Sequence, residues 1–153
     1  MIKARKYQAK ECCKECKGAC CKNLPGACLP EDIERIFPAE TLHDSVIKAL
    51  STKKFSIDWW EGSSNVYYIR PSTKGKYRKF DPSWGGECVF LGKGGCKLSF
   101  IDRPHNCKIL QPLPEGRCKL PFKESAKLVY ACEWKDLDFE VFRKRNNKAL
   151  RKE

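Results

Sequence analysis

Histidine is scarce, with two in 153 residues, and long apolar runs are missing altogether. Nothing approaches the roughly 18 consecutive apolar residues of a membrane-crossing helix. The N-terminus, MIKARKYQAKECC, is basic but carries no apolar stretch of about 7 to 15 residues followed by a small-residue cleavage site. No membrane contact is therefore expected, and the expected location is cytoplasmic. Convincing Ser/His/Asp, paired-carboxylate and phosphate-loop signatures are also lacking, since Gly92-Lys93-Gly94-Gly95 is too short for a P-loop. Without repeats or low-complexity linkers, the length predicts one domain over 1–153, with a basic helical tail from about 133.

Cysteine is abundant instead: the chain has eleven. In a reducing compartment, closely spaced thiols point to metal more often than to disulfides, and an odd number fits complete pairing poorly. The charge balance bears on the same question. Lys and Arg exceed Asp and Glu by 31 to 19, a formal +12 that suggests an anionic partner. Cysteines that hold metal are thiolates, however. Eight of them with two Zn²⁺ ions, or two four-thiolate iron-sulfur centres, would bring the total to about +8.

Five cysteines fall in the segment CCKECKGACC. Cys13, Cys16, Cys20 and Cys21 read C-x2-C-x3-C-C, and the first pair has the spacing of a metal knuckle. On a helix, 13, 16 and 20 would still share a face. The adjacent Cys20 and Cys21 diverge on either backbone, which suits two centres or one polynuclear cluster. Cys12 is an alternative to Cys13. Cys88, Cys96, Cys107 and Cys118 make a second group and bring the candidate ligands to eight. If Gly92 to Gly95 closes a regular hairpin, Cys96 faces Leu91 and Cys88 lies roughly 10 Å further along the strand. All-sulfur ligation suits zinc, Cu(I) or iron-sulfur and argues against Mg²⁺ and Ca²⁺. Cys28 and Cys132 stand alone and are read as buried apolar thiols.

Around these cysteines the pattern predicts an α+β fold, a small irregular domain organised around cysteine-ligated metal, with short helices and a few short strands. Pro30 to Phe37 reads as a short helix with an acidic first turn, ending at Pro38. A second helix is expected over about 39 to 50, with Leu42, Val46, Ile47 and Leu50 on one face. Val66 to Ile69 and Cys88 to Leu91 read as strands. Helical spacing is expected again after Cys132, through Trp134, Leu137 and Val141.

The motifs resemble those of the YkgJ-like cysteine-cluster family of zinc- or iron-chelating domains. There a C-x2-C-x2/3-C-C opening precedes a helix of the type seen here as Glu31-Asp32-Ile33-Glu34-Arg35-Ile36. The segment Gly86-Glu87-Cys88-Val89-Phe90-Leu91, Gly95-Cys96-Lys97-Leu98 and Arg103-Pro104-His105-Asn106-Cys107 matches the rest of the pattern. The resemblance implies Cys13, Cys16, Cys20, Cys21, Cys88, Cys96 and Cys107 as metal-site residues. Cys118 lies beyond the pattern, and Lys108 stands where many members have Arg. The flagellin lysine-N-methylases in this family are much longer chains.

Arg103 is a candidate for holding charge beside the cofactor, either through hydrogen bonds to thiolates or sulfides or, in the plainer reading, as a surface ion pair. His105 and His43 are read as solvated. Trp59-Trp60, Tyr67-Tyr68 and Trp84 are read as core in preference to base-stacking platforms. The leading expectation is a cytosolic protein holding zinc or an iron-sulfur cluster. The alternatives are an iron-sulfur redox or methylation-related enzyme or accessory, and a zinc-stabilised nucleic-acid binder. The basic tail is expected to give at most weak polyanion contact.

Overall fold

The computed structural model describes residues 25–59, 66–82, 86–93, 95–108, 111–112, 118–119 and 126–143. Cys12, Cys13, Cys16, Cys20, Cys21, Trp60, Trp84 and the tail beyond 143 lie outside the described residues.

Helix α1 spans Pro30–Ile36, with proline at a position where its missing N–H is not needed. The Asp32 carboxylate accepts the Leu29 N–H at 2.8 Å and so closes the helix start. Helix α2 spans Leu42–Ser51. It begins later than the apolar spacing suggests because Thr41 caps it, its Oγ1 accepting the Asp44 N–H at 3.1 Å. Val46 and Leu50 are buried as expected, Leu42 and Ile47 are half-buried, and Ala49 is buried as well. The helix ends with Thr52, and Lys53 follows at φ 61°, the left-handed position that glycine usually fills.

Strands β1 (Phe55–Trp59) and β2 (Tyr67–Pro71) pair antiparallel with Ile57 opposite Ile69. The register sorts side chains by face. Phe55/Pro71, Ile57/Ile69 and Trp59/Tyr67 form one set, and Ser56/Arg70 and Asp58/Tyr68 the other. The strands are buried almost throughout, with α2 packing against β1 and the later helix α4 (Ala126–Glu133) against β2. The segment around 79–81 runs along the edge of β1, with a parallel bridge between Phe80 and Ile57. Beside it Arg70 is wholly buried, with Nε on Asp58 Oδ2 at 2.9 Å and Nη1 on Pro71 O at 2.9 Å. Its Nη2 reaches Asp81 O at 2.9 Å, and Tyr68 donates to Asp58 Oδ2 at 3.0 Å. Such a charge is tolerated inside only because its donors are served.

Beyond the hairpin the elements are short: β3 (Leu91–Gly92) with β4 (Gly95–Cys96), a 3₁₀ turn at Phe100–Asp102, α3 (His105–Lys108), and β5 (Gln111–Pro112) with β6 (Cys118–Lys119). The mixed α+β class expected from sequence is the one observed. The C-terminal expectation needs correcting, because α4 precedes Trp134 and ends at Glu133. Turns follow, and Asp138 Oδ1 accepts the Glu140 N–H at 3.0 Å to open a new helical turn at 140–143. Trp134, Phe139 and Phe142 fill the core beside Tyr67 and Tyr68. His43 is not simply solvated, since its ring stacks on Phe142 with centroids 5.1 Å apart.

Candidate metal centre

The strand of chain leaving the N-terminal cysteines is fixed from three sides as soon as it enters the fold. Ala27 and Asn106 clasp each other, with Asn106 Oδ1 accepting the Ala27 N–H at 3.2 Å and Ala27 O accepting the Asn106 N–H at 3.3 Å. Cys28 donates its N–H to Ile69 O of β2 at 2.8 Å, and Trp134 Nε1 donates to Cys28 O at 2.9 Å. One carboxylate oxygen, Asp32 Oδ2, accepts from both Leu29 N and His105 N at 2.8 Å each. Asp32 thus ties the start of α1 to the start of α3, where Cys107 sits.

This closeness explains Gly26. A Cβ there would stand 2.5 Å from Cys107 Sγ and 3.2 Å from Asn106 Oδ1, so only glycine lets the sulfur approach the backbone. Gly86 has a related role two residues before Cys88. Its φ of +143° suits glycine, and a Cβ would press on Thr73 Cγ2 at 3.1 Å. Thr73 forms an antiparallel bridge with Cys88, which is buried.

The β3–β4 hairpin has the anticipated register, with Leu91 opposite Cys96. Cys88, however, is not carried away along a straight strand. Cys88 O accepts the Leu91 N–H at 3.0 Å, and this turn folds the chain back. The two Cα atoms of such a turn stand less than about 7 Å apart, against the roughly 10 Å of an extended strand. Cys96 and Cys107 are half-buried. Cys118 enters through its backbone, paired in β6 with Pro112.

Cys28 is completely buried, consistent with the apolar-thiol reading, and burial pushes its thiol well above the ordinary range. Asp32 and Cys88 raise it further, which places Cys28 within electrostatic reach of a proposed ligand. Cys132 differs from expectation in being exposed, on the outward side of α4. His105 is not solvated either. Its Nδ1 lies 2.8 Å from the Tyr130 hydroxyl, and burial lowers its pKa against the opposing effect of Asp32. Burial likewise raises Tyr130, opposed by the Asn106 amide, with Cys107 and Asp32 adding to the shift. Arg103 is buried, not at the surface, and donates from Nε to Leu98 O at 3.3 Å.

Among the described residues, no three His, Cys, Asp or Glu side chains gather as a metal-binding set. Cys88, Cys96 and Cys107 are therefore not a complete centre by themselves. The setting nonetheless suits sulfur-bound metal: a thiol pressed against a glycine backbone, a buried arginine four positions earlier in sequence, and a spare donor. That donor is Asn106 Nδ2, which is buried near the Tyr130 hydroxyl but makes no hydrogen bond of good geometry among the described residues. It is suited to a thiolate or sulfide acceptor. Sequence reasoning missed Asp32, Asn106 and Tyr130. Only Asp32, three residues after the turn residue Leu29, left a trace, as half of a capping box.

The chain matches a family model over residues 12–133, that of the CxxCxxCC family, described as "Putative zinc- or iron-chelating domain". Among curated proteins and among solved structures nothing matches the chain.

Proposed function

Since the chain belongs to the CxxCxxCC family of zinc- or iron-chelating domains, we propose that it holds zinc or an iron-sulfur cluster through two groups of thiolates. Cys13, Cys16, Cys20 and Cys21 form the first, and Cys88, Cys96 and Cys107, with Cys118, the second. The observation that carries this reading is the clasp of Gly26 and Ala27 on Asn106 and Cys107. Three residues separate Cys21 from Pro25, a reach of at most about 14 Å. The clasp therefore limits how far Cys21 can stand from Cys107 by covalent connection alone. The cysteine set also suits borderline or soft metals over Mg²⁺ or Ca²⁺.

In this reading Arg103 offsets thiolate charge from its buried place just ahead of α3, and the Asn106 amide supplies a hydrogen bond to sulfur. Bound zinc would cross-link the loops as a structural centre, whereas an iron-sulfur cluster would add electron transfer. The cytoplasmic expectation stands on the thiol chemistry. No helix among the described residues is long and apolar enough to cross a membrane. The test is purification without oxygen, followed by a visible spectrum and metal analysis. Brown protein absorbing near about 400 nm with bound iron and sulfide identifies a cluster. Colourless protein with stoichiometric zinc identifies a zinc centre, and protein that folds fully with neither metal refutes the proposal.

A further inference from the structure

We propose that the surface formed by the α2–β1 turn and the 74–79 loop is a contact site for the phosphate backbone of nucleic acid, adjoining the Cys88 segment but using none of the proposed metal ligands. The two segments are bound tightly together. Ser72 N donates to Lys54 O at 2.8 Å and Ser72 Oγ to Lys53 O at 3.1 Å. Ser56 Oγ donates to Arg78 O at 2.8 Å and Ile57 N to Lys79 O at 2.7 Å. Between them the Tyr77 hydroxyl lies within hydrogen-bond distance of Phe55 O at 2.7 Å and Leu50 O at 3.3 Å, which fixes Lys76 and Arg78 on either side of the turn.

The result is a group of six cationic residues on backbone held in place: Lys53, Lys54, Lys74, Lys76, Arg78 and Lys79. Five of them are exposed, and Lys79, half-buried, reaches Phe142 O at 3.5 Å. Lys53, Lys54 and Lys76 have no ion pair among the described residues. Lys74 meets Glu87 at 3.2 Å on the surface, and Arg78 stands 4.0 Å from Asp81, whose carboxylate also serves Arg70 at 3.3 Å.

Two further observations set this surface apart from ordinary solvated lysines. Lys53 occupies a left-handed backbone position at φ 61°, where glycine would remove strain, so the charge is kept at a cost to the fold. The patch also reaches Arg143, whose guanidinium lies 3.9 Å from the centre of the Phe80 ring and pairs with Glu140 at 3.2 Å. A group of cations carried on hydrogen-bonded backbone matches a linear polyanion. An anionic membrane is less well matched, because the one large hydrophobic side chain exposed among the described residues, Ile101, belongs to the 3₁₀ turn beside α1.

The test uses the full metal-loaded chain and a labelled duplex oligonucleotide of mixed sequence, titrated from about 50 to 200 mM salt. Lys53→Gly should melt no lower than the parent protein yet bind several-fold more weakly, since it relieves the backbone while removing a charge. Lys53→Gly combined with Lys54→Gln, Lys76→Gln and Arg78→Gln should lower the slope of log K against log salt by about 3 to 4, at roughly 0.9 per lost phosphate contact. Unchanged affinity and slope in the combined variant overturn the proposal. So does binding to phosphatidylserine vesicles in place of the duplex, or a Lys53→Gly protein that binds normally.

Discussion

Gly26→Ala tests the packing of the centre with the smallest possible change. The new methyl would lie 2.5 Å from Cys107 Sγ and 3.3 Å from Asn106 Cβ. Comfortable non-bonded contacts lie near 3.5 to 4 Å, so the sulfur must retreat by about 1 Å. Overpacking of this kind costs about 1 to 3 kcal/mol, and each kcal/mol lowers the melting temperature of a domain this size by about 2 to 4 °C. Metal sites tolerate about 0.2 Å of ligand displacement, so bound metal per chain should fall as well. The control is Gly26→Ala in a Cys107→Ala background, where the offending sulfur is gone. There the substitution should cost at most a few tenths of a kcal/mol, giving a coupling energy of about 1 kcal/mol or more between the two positions. Thermal unfolding and metal analysis of the four proteins complete the cycle. Equal costs in both backgrounds would show that the glycine is required for some reason other than the sulfur.

Asp32→Ala removes the acceptor shared by Leu29 and His105 and should cost about 3 kcal/mol in denaturant unfolding, whereas Asp32→Asn, which keeps one oxygen, should cost less than half as much. Asp58→Ala leaves Arg70 buried with a lost partner and should cost about 3 to 5 kcal/mol without changing the metal content of the folded fraction; a loss below 1 kcal/mol would contradict the buried-pair reading. Burial pushes Tyr77 up to about 12, so the folded state keeps a proton that the unfolded state, near about 10, gives up. Stability should accordingly decline as pH rises from about 10 to 12, and Tyr77→Phe should remove its share of that slope. Cys16→Ser and Cys20→Ser should lose metal and cooperative unfolding together, while exposed Cys132→Ala should retain full metal and Cys28→Ala should lose only a packing contribution of about 1 to 3 kcal/mol.

Local chemistry made much of this fold legible. Pro30 and the acidic turn marked α1, and the β-branched and aromatic run marked β2. The pairing of Leu91 with Cys96 followed from the glycine turn. The failures share a physical origin, since each depends on a contact made far along the chain or on a side chain that competes with the backbone. Cys88 was misplaced because a single Cys88–Leu91 hydrogen bond replaces strand with turn. The C-terminal helix was misplaced because Asp138 starts a new turn. His105 could not be recognised as bonded, because its partner Tyr130 is 25 positions away and no periodicity links them. Of the eight proposed ligands, the short spacings made the first four conspicuous as a group. What surrounds the second group, above all the Ala27–Asn106 clasp across 79 positions, has no local signature.

That clasp, with the Trp134 bond to Cys28 across 106 positions, also has a consequence for biosynthesis. The cysteine-rich segment is synthesised well before the residues that hold its exit in place. At about 5 to 20 residues per second, the interval between residues 28 and 134 is about 5 to 20 s. Throughout that time the leading thiols lack their fixed neighbours and are open to oxidation or to whatever metal is most available. Loading the correct metal therefore follows the synthesis of residue 134, and the reducing and metal-buffering capacity around the ribosome becomes part of how this protein acquires its native state.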